Sequence, residues 1–217
     1  MSKQKTYKDK VIENEEFLID TLCSVMEFRN TESNNHIARI KKFTRIIIDC
    51  VSEEYPEYEL TEKKKELITI ASAIHDLGKI AIKDSILLKP MQLTDMEFEE
   101  IKKHPIYGCK ILEKHKQKDN DFYKICYDIC RYHHERYDGT GYPDGLKGEK
   151  IPIWAQVVGV VDVFDALVSK RVYKGAYRVD EALKMIKNGD CGEFSEKIIN
   201  CIIKSEEQLK IAAKESK

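Results

Sequence analysis

Trp154-Ala155-Gln156-Val157-Val158-Gly159-Val160-Val161-Asp162-Val163-Phe164-Asp165-Ala166-Leu167-Val168-Ser169 is the stretch on which the fold turns. Its valines favour a strand by propensity. Its length argues the other way. Sixteen residues without a breaker beyond Gly159 exceed an ordinary strand, whereas a helix apolar on all sides is what a central buried helix looks like. The chain is therefore expected to be all-α, with this segment at its centre. Asp162 then lies inside an apolar helix where no neighbour in sequence neutralises it, so it needs a positive partner from elsewhere.

The flanking sequence agrees. Apolar residues recur at helical spacing in Ile12, Ile19 and Met26, in Ile37, Ile40, Phe43 and Ile47, and in Leu67, Ile70, Ala71 and Ile74. Pro56 closes the second helix and Thr61 with Glu62 opens the third. Pro105 to Glu113, Asp119 to Arg131, Asp180 to Lys187 and Ser195 to Lys204 read as further helices. Residues 1–30 offer one amphipathic helix, with room for a homodimer contact. The mostly charged residues 205–217 read as a polar tail, solvated or frayed. Between Asp138 and Pro152, four of the ten glycines fall in one window, which makes it a structured loop.

Thirty-seven Lys and Arg against thirty-eight Asp and Glu leave a formal charge of -1. No global field exists to attract a nucleic-acid polymer or an anionic membrane, so a phosphate ligand must be met by local charge. Met1 to Lys10 is charged with no apolar stretch behind it, unlike a secretory signal, and no apolar segment reaches membrane-spanning length. The seven cysteines are odd in number and contain no C-x-x-C pair, as expected of reduced thiols in the cytoplasm. Cys126 and Cys130, one helical turn apart, read as buried packing residues.

Chemistry concentrates on histidine and aspartate. Of the six histidines, His115 lies in a lysine-rich run and reads as a surface residue. His75 and Asp76 end the apolar helix from Leu67. A carboxylate there needs a partner, and either a hydrogen bond within the pair or a cation meets that need. His133 and His134 are adjacent, so on a helix their rings diverge by about 100 degrees, which suits two neighbouring ions better than one. Glu32 and His36 share a helix face, as surface pairs also do. Mixed nitrogen and oxygen donors without thiolate point away from structural zinc and towards iron or manganese, and paired ions are how hydrolases cleave phosphodiesters at neutral pH.

His75-Asp76-Leu77-Gly78-Lys79 resembles the signature of the HD phosphohydrolase superfamily. His133-His134-Glu135-Arg136-Tyr137-Asp138-Gly139-Thr140-Gly141-Tyr142-Pro143 resembles the extended signature of the HD-GYP subfamily. Lys89-Pro90, His104-Pro105, Gly145 to Glu149, Ile151-Pro152, Asp162 to Leu167 and Arg171 to Lys174 follow in the same order. The resemblance covers roughly residues 28 to 203 and implies an HD-GYP catalytic domain over 31–204, an HD-type helical bundle with the HD-GYP extension. It also implies metal ligands His36, His75, Asp76, His104, His133, His134 and Asp162, with Glu32 where relatives with a third metal carry a glutamate. The implied activity is hydrolysis of cyclic di-GMP to pGpG and onward to GMP, with two or three divalent ions, iron or manganese, as cofactor. The departures are Gln156 where relatives often show arginine, Met91 after Lys-Pro, and Ser195 in place of an aspartate.

Asp76 is then expected to bridge two ions and Lys79 to face the phosphate, unless Lys79 only closes a helix C-terminus. Arg171 and Lys174 are candidates for the substrate phosphates and Tyr142 for stacking on, or hydrogen bonding to, the dinucleotide. Asp165 is grouped with the substrate-binding residues as the side chain that orients Lys79 or a ligand histidine. Two rivals remain: an HD phosphohydrolase for another nucleotide, which the Gly-rich loop argues against, and a cyclic-dinucleotide-binding module without turnover.

Overall fold

The computed structural model describes residues 7–29, 35–114, 120–169 and 175–215. Among these the chain forms α1 (Tyr7–Arg29), α2 (His36–Glu54), α3 (Glu62–Ala71), α4 (Asp84–Leu87), α5 (Asp95–Ile101), α6 (His104–Glu113), α7 (Asp121–Tyr132), α8 (Ile153–Val168), α9 (Val179–Lys187), α10 (Glu196–Lys204) and α11 (Glu206–Glu215), with no strand among the described residues. The valine-rich segment is α8. Val157, Val158, Val160, Val161 and Phe164 along it are buried, and it packs against α2, α7 and α9. Phe164 meets Phe43 of α2 edge-on at 5.0 Å between ring centres, an arrangement aromatic pairs favour.

The helix starts follow their capping residues. Thr61 Oγ1 accepts from the Lys64 N–H at 3.3 Å and Ser195 Oγ from the Ile198 N–H at 3.3 Å, each satisfying a donor that the first turn leaves open. Gln156 donates to the Ile151 carbonyl at 2.9 Å, just ahead of α8. None of the described helices is long and apolar enough to cross a membrane.

Two sequence expectations are corrected. The C-terminal residues are not a frayed tail: α11 buries Leu209, Ala212 and Ala213 against α2 and α9 while its glutamates and lysines face outward. Helix α1 is not simply amphipathic. Cys23 is buried and Ile19 and Met26 pack inward, yet Phe17, Leu18, Leu22 and Val25 on the outer side are exposed. The helix is pinned by Lys41, which pairs with Glu16 and Asp20, and by Arg29, which donates to the carbonyls of Lys79, Ile80 and Ile82.

Candidate metal centre

The apolar helix expected to end at His75-Asp76 stops as an α-helix at Ala71 and tightens into a 3-10 turn, Ser72–Ile74. A second such turn, Leu77–Ala81, follows, so His75 and Asp76 sit buried at the joint between them. The joint is pressed against the first turn of α6. A Cβ on Gly78 would lie 1.8 Å from the His104 carbonyl oxygen, so no other residue fits there. On the other side α8 crosses the end of α7, where a Cβ on Gly159 would lie 2.4 Å from the His133 carbonyl. Two glycines thus let three backbone segments bring their histidines to one point.

There, His104 Nε2 lies 3.1 Å from Asp76 Oδ1, and His75 Nε2 lies 3.2 Å from Asp76 Oδ2 and 3.8 Å from Asp162 Oδ1. Two donor groups result, each with its ligand atoms within 4.8 Å of one another: Asp76, His104, His133 and His134, and His36, His75 and Asp76. Asp76 belongs to both. The expected divergence of His133 and His134 is not found. Helix α7 ends at Tyr132, the chain turns, and the two rings converge to 4.0 Å between centres within one group.

The donor chemistry fits a metal. The Nδ1 atoms of His75, His104 and His133 lie 2.9, 2.8 and 2.9 Å from the carbonyl oxygens of Ser72, Ile101 and Ile129. A carbonyl only accepts, so each Nδ1 carries the hydrogen and each Nε2 of a neutral ring is a bare acceptor. Yet the Nε2 atoms of His104 and His133 are 3.3 Å apart. Acceptors this close repel unless a proton or a metal cation stands between them. Burial and the neighbouring rings hold His133 and His134 well below the usual histidine range, which disfavours the proton. Burial also opposes charge on His75, but Asp76 outweighs it and pushes that imidazole up to about 9. His75 Nε2 and Asp76 Oδ1 are buried without a hydrogen-bond partner among the described residues, although charged neighbours lie close by. A cation meets all of these demands at once.

Around the donors sits a shell of orienting contacts. His36 Nδ1 donates to Asp165 Oδ2 at 2.7 Å, and Arg39 Nε donates to Asp165 Oδ1 at 2.5 Å. Asp165 is buried, with one oxygen facing His36 and the other Arg39. Lys79 pairs with Asp76 Oδ2 at 2.7 Å. Tyr142 stacks on His134 at 4.7 Å, with Lys102 Nζ 5.3 Å from its ring centre. That face of the Tyr142 ring is covered by His134. Burial raises the Tyr142 pKa, so its hydroxyl stays protonated and able to donate. Glu32, Arg171 and Lys174 lie outside the described residues.

Three side chains that hold the cluster's surroundings together escaped the sequence reading. Arg39 is three residues after His36 on the same helix face, a spacing that carried the signal. Glu135 is buried and accepts from the backbone N–H groups of Asp144, Gly145 and Leu146 at 2.8, 3.1 and 2.9 Å, fastening the Gly-rich loop to the end of α7. Arg136 donates to the carbonyls of His133 and Glu135 at 3.3 and 2.9 Å, fixing the turn that carries both histidines. Both stand inside the motif, where nothing in the spacing tells a fastening residue from a ligand.

A family model described as HD domain matches residues 28–191. The chain belongs to the HD-domain family. A cyclic di-GMP phosphodiesterase of Vibrio cholerae serotype O1 is 37% identical over 196 residues, which are 88% of this HD-domain chain and 39% of the relative. The cyclic di-GMP phosphodiesterase response regulator RpfG of Xanthomonas campestris pv. campestris is 36% identical over 201 residues, 93% of this chain and 50% of the relative. The chain thus spans half or less of the length of these two curated relatives. Among solved structures, Bd1817, an HDG"Y"P protein from Bdellovibrio bacteriovorus, superposes with a TM-score of 0.59 at 19% identity, covering 94% of this chain and 64% of that one, a likeness of fold.

Proposed function

We propose that this HD domain is a metal-dependent phosphodiesterase that hydrolyses cyclic di-GMP to pGpG and onward to GMP. The observation behind it is the pair of donor groups joined at Asp76, in which bare imidazole nitrogens face one another and a carboxylate. One ion would be held by Asp76, His104, His133 and His134, and a second by His36, His75 and Asp76, with Asp162 beside His75. All-nitrogen-and-oxygen donors suit iron or manganese. A third ion rests on Glu32 and on the resemblance alone. Bound there, such ions supply Lewis acidity towards a phosphoryl group and activate water for its attack.

The chain's own residues hold this chemistry in place. Asp165 and Arg39 fix the tautomer and direction of His36, Tyr142 braces His134, and the Nδ1 contacts to backbone carbonyls aim the other rings. Lys79, beside Asp76, offers positive charge to the phosphate oxygens as the bond breaks. Arg171 and Lys174 would bind the phosphates. Reduced thiols and a freely diffusing substrate suit the cytoplasm, and the apolar outer face of α1 is where a homodimer contact would form.

Elemental analysis of anaerobically purified protein, paired with a turnover assay on cyclic di-GMP, cyclic GMP-AMP and linear nucleotides, tests the proposal. The expected result is about two or more equivalents of iron or manganese,, and cleavage of the cyclic dinucleotide ahead of linear ones. Fully metallated protein that binds cyclic di-GMP without cleaving it refutes the activity. Preference for a linear nucleotide refutes the substrate.

A further inference from the structure

The segment from α4 to the start of α6 exposes apolar side chains with no role in the core. Helix α5 buries no residue, yet Phe98 on it is 52% exposed, and Met91 and Met96 are 66% and 86% exposed. The segment is nonetheless well held. Thr94 and Glu97 form a reciprocal cap on α5, and Lys89, two residues beyond α4, pairs with Glu97 at 2.6 Å. These bonds hold the start of the helix that carries Phe98.

The position of Phe98 gives this exposure a use. Lys102 Nζ lies 6.0 Å from the Phe98 ring centre and 5.3 Å from that of Tyr142, and Tyr142 stacks on His134 of the metal centre. Phe98 is thus linked to His134 of the cluster through two intervening side chains, Lys102 and Tyr142. Tyr142 is engaged by its neighbours, whereas half of the Phe98 surface is open to solvent. A cyclic dinucleotide with a phosphate at the cluster would carry its purines outward from it, where an exposed aromatic face gains from stacking.

We propose that Phe98 is the platform on which one purine base of the substrate stacks, with Lys102 spacing it from Tyr142. This rests on the cyclic-dinucleotide reading above and adds to it a specificity-determining residue. Catalysis does not need the contact, because the phosphate chemistry is complete without a base.

The test compares cyclic di-GMP with bis(p-nitrophenyl) phosphate, a phosphodiester without a nucleobase, on metal-loaded full-length protein. Phe98→Ala is expected to raise KM for cyclic di-GMP roughly ten-fold with kcat within about two-fold, since one base stack is at stake. It is expected to leave turnover of the small diester unchanged, and Phe98→Trp is expected to restore the KM. An unchanged KM in the alanine variant overturns the platform, and so does an equal loss on both substrates, which would mean a structural role. Parent protein that cleaves the small diester but neither cleaves nor binds cyclic di-GMP overturns the substrate reading itself, and the platform with it.

Discussion

Asp165 and Asp76 both neighbour His36 and are both buried, yet their surroundings differ in kind. Around Asp165 every oxygen is answered: His36 and Arg39 reach it at 2.7 and 2.5 Å, and against burial they hold its carboxyl below the usual range. Around Asp76, burial is likewise outweighed, by Lys79, His75 and His104, and the carboxyl is held well below that range. But Oδ1 has neighbours without a hydrogen bond, and beside it the Nε2 atoms of His104 and His133 stand 3.3 Å apart. A closed network orients; an open one is arranged for something the chain does not itself supply.

The largest effect should come from the open region. Asp76→Ala removes the donor common to both groups, so bound metal should fall and hydrolysis should drop about a thousand-fold or more, as expected when several kcal/mol of metal-derived stabilisation are lost. Elemental analysis alongside turnover reads both. Unchanged metal content would show that Asp76 is not the joint ligand, and the contrast with Asp165 would collapse.

How much of this contrast was legible in the sequence depends on what fixes each residue. Asp162 announced itself as a carboxylate in a helix too apolar to tolerate it alone, and the length of that helix decided its type over the strand propensity of its valines. Leu209, Ala212 and Ala213 also follow helical spacing, but the charges between them concealed a packed α11. Helices α4 and α5 left no periodic signal because they bury nothing. The convergence of His133 and His134 was out of reach, since it depends on the helix ending at Tyr132 and on a turn held by Arg136 and Gly159.

The closed region gives the next largest effect. Asp165→Asn keeps the shape and removes the charge that both the Arg39 guanidinium and His36 face in the buried network. Breaking a buried pair in this way costs about 3–5 kcal/mol, read as a lower midpoint in denaturant. Metal affinity should fall about 10–100-fold through His36. Loss of stability with metal affinity intact would separate the two regions that His36 joins. Glu135→Gln is a milder break: an amide NH2 group would face one of the three N–H donors it now accepts from, for about 2 kcal/mol. Its mark should be a lowered melting temperature, with the metal content retained.

Asp128 sharpens the comparison by showing what burial does to a carboxylate with neither a cation network nor a metal. It lies on α7, accepts from Trp154 Nε1 at 3.2 Å, and burial pushes its carboxyl up to about 6, against the opposing pull of Lys124 and of that hydrogen bond. A folded-state value above the unfolded one of 3.8 means that the folded protein favours the protonated form. The contribution is stabilising at acid pH and is lost as pH rises through about 6. Asp128→Asn mimics the protonated state at every pH. It should therefore be more stable than the parent by about 2 kcal/mol at pH 8, after allowance for solvent screening. That advantage should shrink through pH 6 and vanish below about pH 4, where both states of the parent are protonated. Urea melts at three pH values suffice. An advantage that does not change with pH would mean that the charge on Asp128 is not what burial penalises, and that the low pKa values of Asp76 and Asp165 need less help from their cations than their distances imply.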